Sequence, residues 1–72
     1  MKVLIFQTNI DSNQNIEAVQ PLFNSNSHII DWSVDIEDID NVLRIEATDY
    51  LQETDVINLI GTQGFYCDDL VG

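Results

Sequence analysis

Ile30-Asp31-Trp32-Ser33-Val34-Asp35-Ile36-Glu37 and, after a short polar interval, Val42-Leu43-Arg44-Ile45-Glu46-Ala47 decide the fold of this chain. In the first stretch Ile30, Trp32, Val34 and Ile36 alternate with Asp31, Ser33, Asp35 and Glu37. A period of two predicts a strand with one buried and one wet face. In the second, Leu43, Ile45 and Ala47 alternate with Val42, Arg44 and Glu46 in the same manner. Asp38 to Asn41 supply the turn between them, so the two segments read as an antiparallel hairpin whose faces are in register.

Upstream of the hairpin, Ile16, Val19, Leu22 and Phe23 recur at spacings of three and four, the stripe of an amphipathic helix. Its span is predicted as Asn13 to Phe23, with Asp11 or Ser12 as N-cap and Gln14 placed for a capping box with Asp11. Pro21 lacks the amide that would bond the Glu17 carbonyl, which predicts a kink or a loosened last turn before Asn24-Ser25-Asn26-Ser27. Before that helix, Val3 to Thr8 is a β-rich apolar run that ends at Asn9 and reads as a largely buried strand.

Downstream, Leu51, Val56, Leu59 and Ile60 lie in a second helical pattern from Gln52 to Gln63. Gly64 follows where a left-handed C-cap is wanted. Phe65-Tyr66-Cys67 then reads as a short aromatic strand. The order is β-α-β-β-α-β, and with right-handed crossovers it predicts an α+β ferredoxin-like, open-faced sandwich. Two helices cover one face of a four-stranded antiparallel sheet, and the other face is left open.

Length and charge narrow the function classes. Seventy-two residues (1–72) make a single domain, since a chain this short buries only roughly 60% of its unfolded surface and supports one core. With 44% hydrophobic residues it has the apolar material to fold despite a formal charge of -11. Only Lys2 and Arg44 oppose nine Asp and four Glu, so nucleic acid and anionic membrane surfaces are excluded as expected partners. The charge serves solubility and leaves a basic protein or a cation as acceptable company.

Met1-Lys2-Val3-Leu4-Ile5-Phe6 is too short an apolar run for a secretory or membrane-spanning segment, and the N-terminus is expected to belong to the fold. Cys67 is the chain's one cysteine. It forms no intrachain disulfide, and a cytoplasmic location is expected.

The residues Phe6-Gln7-Thr8-Asn9-Ile10 before the first loop, Ala18-Val19-Gln20-Pro21-Leu22-Phe23 in helix one, Ile30-Asp31-Trp32-Ser33-Val34-Asp35 in strand two and Gly64-Phe65 after helix two resemble the heavy-metal-associated domain. That family comprises soluble copper and mercury carriers and the N-terminal modules of metal-pumping ATPases. The resemblance covers nearly the whole chain and implies a first loop carrying Cys-x-x-Cys, a soft, low-coordinate pair for Cu(I) or Hg(II). It implies those cysteines at Ser12 and Asn15, with Ile10 in the place of the family's apolar loop residue and Phe65 in that of its loop-facing aromatic.

Neither Ser12 nor Asn15 supplies a thiolate, so the defining soft-metal chemistry is expected to be lost and no cofactor is expected. Both residue types are favoured as helix caps. Asp11, Ser12, Asn13, Asn15 and Glu17 together offer oxygen ligands to a hard cation, though only two are charged. The acidic stretch Asp35, Glu37, Asp38 and Asp40 fails the EF-hand pattern, because Ile39 and Asp40 stand where a ligand and a glycine belong. Cys67 alternates onto the same face as Phe65 and reads as a small buried hydrophobe, and His28 reads as a loop residue.

One His, one Cys and one Arg leave little material for catalysis, so no enzyme activity is expected. The predicted working surface is the open sheet face, where Val3, Ile5, Ile29, Val42 and Tyr66 are expected to gather as an interface for a protein partner or a second copy. The leading reading is a non-catalytic module of heavy-metal-associated type that has lost soft-metal binding. The alternative is a metal carrier or regulator with altered ligands in the first loop or at Cys67.

Overall fold

A central strand makes this architecture possible. In the computed structural model, which describes residues 1–69, β1 (Lys2–Thr8) pairs antiparallel with β3 (Val42–Ala47) on one side and β4 (Cys67–Asp69) on the other. Strand β2 (Ile29–Asp35) pairs antiparallel with β3 at the outer edge, giving the sheet order β2-β3-β1-β4. Helix α1 (Asn13–Asn24) connects β1 to β2, and α2 (Glu53–Gly61) connects β3 to β4. This is the expected ferredoxin-like α+β sandwich.

The core sits between sheet and helices because each element presents one apolar set to it. Leu4 and Phe6 of β1, and Leu43, Ile45 and Ala47 of β3, are buried against Val19 and Phe23 of α1 and Val56 and Ile60 of α2. Fully burying side chains of this size contributes roughly 1.5–3 kcal/mol each before chain entropy is opposed. The α1 stripe holds despite Pro21, and the helix runs three residues past it, with Ser25 N–H donating to the Pro21 carbonyl at 3.1 Å. The Phe23 ring packs at a tilt of 58° against Trp32, centroids 4.9 Å apart, and the Trp32 indole N–H donates to Asn24 at 3.0 Å, so the end of α1 is fastened to β2.

One irregularity overturns part of the alternation. Ile29 lies opposite Ala47 while Asp31 lies opposite Glu46, so Ile30 is an extra residue, a β-bulge. The insertion reverses side-chain parity at that point. Ile29, expected on the open face, packs against the core instead, and Ile30, expected inside, is 57% exposed. Beyond the bulge Trp32 and Val34 pack against the core as the alternation predicts.

The end of α2 follows the glycine. Phe65 N–H donates to the Ile60 carbonyl at 3.2 Å and Gly64 N–H to the Gly61 carbonyl at 3.0 Å, the bond pair of a Schellman turn, with Gly64 at φ +81. The turn carries the chain further than Phe65-Tyr66-Cys67 allows, so the last strand begins at Cys67. A Cβ at Gly64 meets nothing within 4 Å, which leaves left-handed backbone strain as the only penalty. Gly64→Ala is therefore expected to lower stability by about 1 kcal/mol, read as a shift of the urea midpoint with an unchanged slope.

Candidate functional site

The loop joining β1 to α1 is built on Thr8, a buried polar residue. Its hydroxyl donates to the Asn41 carbonyl at 2.6 Å and accepts the Ile10 N–H at 3.2 Å. Thr8 N–H donates to the Asp40 carbonyl at 3.1 Å, tying the first loop to the β2–β3 turn. Asn9 fixes the other side: its side-chain oxygen accepts Tyr66 N–H at 2.7 Å, and its own N–H donates to the Tyr66 carbonyl at 3.4 Å. Ile10 is completely buried.

Ser12 and Asn15 begin the helix. Ser12 is the N-cap, with extended backbone, and its hydroxyl accepts Asn15 N–H at 3.2 Å. The Asn15 amide donates to the Asp11 carboxylate at 2.9 Å. The structure thus selects Ser12 from the two candidate caps, and Asp11 bonds Asn15 where a box with Gln14 was expected. Cys67 is buried opposite Thr8 on the core face. Phe65 packs against the core beside it.

The remaining candidates are occupied locally. In the acidic turn, Asp35 accepts Glu37 N–H at 3.1 Å, Asp38 accepts Asp40 N–H at 2.9 Å, and Asp40 accepts from the Gln7 amide at 3.2 Å. Asn41 closes the turn at φ 48, a conformation that asparagine tolerates. His28 lies beyond the opposite end of the sheet, 3.1 Å from the Thr48 hydroxyl and with its ring tilted toward that of Tyr50 at a centroid distance of 5.8 Å. Among the described residues no group of three or more His, Cys, Asp or Glu side chains is placed to hold a metal ion.

The face of the sheet away from the helices carries Val3 and Ile5 on β1 and Val42 on β3, as the alternation predicts, with Val3 44% exposed. Directly opposed residues share a face. Glu46 opposite Val3, Arg44 opposite Ile5, and Asp31, Ser33 and Asp35 opposite β3 therefore complete this surface. Arg44 forms an ion pair with Glu46 at 2.9 Å. On the β4 side Asp68 lies opposite Gln7.

Tyr66 precedes β4 and is exposed; its hydroxyl donates to the Asp68 carboxylate at 3.0 Å. That hydrogen bond, reinforced by the Asp68 charge, raises the phenol above its ordinary pKa, because both favour the neutral donor. Of the predicted interface residues, Val3, Ile5 and Val42 share the open face, Tyr66 flanks it, and Ile29 does not belong to it. The acids were missed as part of this surface, although the hairpin's own alternation places Asp31, Asp35 and Glu46 on the same face as Val42.

No protein family and no curated protein matches the sequence. A solved structure described as "Crosstalk between Cu(I) and Zn(II) homeostasis" superimposes on 97% of this chain and 100% of its own, with a TM-score of 0.82 at 7% sequence identity. At that identity the likeness establishes the shared fold.

Two outcomes are expected. Ser12→Ala removes the cap and lowers unfolding free energy by about 1 kcal/mol, measured by urea denaturation. Asp68→Asn weakens the hydrogen bond and removes the charge that are the two largest causes of the raised Tyr66 phenol, so the alkaline tyrosinate absorbance titration moves to lower pH than in the parent.

Proposed function

We propose that this chain is a non-catalytic, cytoplasmic binding module of heavy-metal-associated type that has lost Cu(I) and Hg(II) binding and works through its open sheet face. The observation that carries the reading is a division of labour between two surfaces. The first-loop side chains standing in the family's ligand positions are engaged in starting α1, whereas Val3, Ile5 and Val42 keep apolar area in contact with water. The shared fold of a solved neighbour described in terms of Cu(I) and Zn(II) homeostasis supports a metal-related origin for the scaffold.

The non-catalytic reading is supported by the separation of the reactive side chains. His28 lies beyond one end of the sheet, Cys67 is buried near the other, and Arg44 is held by Glu46. A lone cysteine is consistent with a reducing compartment. No helix among the described residues is long and apolar enough to cross a membrane.

Native mass spectrometry of the reduced protein with Cu(I) and a modest chelator tests the reading. The parent is expected to stay metal-free. Ser12→Cys/Asn15→Cys restores two thiols on the first turn of a helix, where thiolates are stabilised, and is expected to retain one Cu(I). A stoichiometric adduct on the parent would establish the carrier alternative. Failure of the double variant to take the ion would contradict the proposed ancestry.

A further inference from the structure

The open face has a charge pattern across its width. Its apolar groups, Val3, Ile5 and Val42, lie on the two central strands, and its flanking carboxylates, Asp31, Asp35 and Asp68, lie on the two edge strands. The Arg44 guanidinium at the centre is neutralised by Glu46. We infer that this face docks an amphipathic helix of a partner protein whose apolar stripe is bordered on both sides by Lys or Arg, an inference that rests on the open face being the working surface.

Dimensions fit one helix. Edge strands of a four-stranded sheet stand roughly 14 Å apart at ordinary strand spacing, and a helix with its side chains is about 10–12 Å across. Its axis lies over β1 and β3 while its flanking cations reach the acids of β2 and β4. A helix of about 16 residues matches the length of the seven-residue β1. The added helix completes a third layer on a sheet covered on one side only.

Charge selects against the other occupants. A second copy placed face to face sets acidic margins against acidic margins, an opposition that suppresses association. An added strand at the β2 edge meets the Ile30 bulge and Asp31 and Asp35, features that discourage edge pairing.

The test is a two-dimensional NMR titration of the labelled chain with a synthetic Leu/Lys amphipathic helix of about 16 residues and with its Leu/Glu counterpart, joined to sedimentation of the chain alone. The Leu/Lys peptide is expected to shift the amides of Val3, Ile5, Val42 and Arg44. Its affinity should fall about ten-fold in Asp31→Asn/Asp35→Asn/Asp68→Asn, and fall with added salt. Ile5→Lys should abolish binding, with the dispersed spectrum of the folded chain showing that the variant still folds. Shifts spread over the acidic turn and indifferent to Ile5→Lys would overturn the inference. Binding of the Leu/Glu peptide, or a dimer through the face, would overturn it while leaving the interaction surface standing. A face unmoved by every probe on a monomeric chain would defeat both.

Discussion

Strand β1 has a neighbour on each side, so its alternation governs everything built around it. Leu4, Phe6 and Thr8 point toward the helices, and Val3, Ile5 and Gln7 point away. The two helices among the described residues both lie on the side of Phe6. Neither covers the second face, and the composition of that face is suited to exposure. Carboxylates stand on the edge strands, while valine and isoleucine at the centre retain the β-propensity that a central strand requires.

The same strand also decides what the first loop can do. Thr8 ends β1 inside the protein, and its hydroxyl joins the loop to the β2–β3 turn through Ile10 and Asn41. Asn9 joins it to Tyr66. The loop is thereby held on two sides before the helix begins, and Ser12 and Asp11 direct their oxygens at Asn15. Soft-metal binding needs sulfur ligands, which neither Ser12 nor Asn15 supplies. Here oxygen and amide groups occupy a braced helix start, an arrangement suited to holding the fold.

Much of this was legible in the sequence because the strongest signals are periodic. The hairpin alternation, the helical stripe ending at Phe23 and the glycine after α2 each specify local geometry by themselves. Val3, Ile5 and Val42 on the open face follow from the same parity. The bulge at Ile30 was not legible, since Ile29 and Ile30 are chemically alike and either can occupy the core. Packing of Ile29 beside Ala47 makes the choice. The start of β4 was hidden for a related reason: the two bonds closing the Schellman turn consume Gly64 and Phe65 before pairing can begin. The bracing role of Thr8 was not legible because a threonine at a strand end gives no sign of what its hydroxyl will bond until Asn41, 33 residues away, is in place.

The claim on which the functional account stands is that the open sheet face, and not the first loop, makes contact with other molecules. The direct test is site-specific photocrosslinking in the protein's native cells, with a photoreactive amino acid placed at Ile5 in one chain and at Asn13 in another. A discrete covalent adduct from position 5, and none from position 13, is the expected result. An adduct from position 13 with none from position 5 would contradict the account and return the functional surface to the first loop.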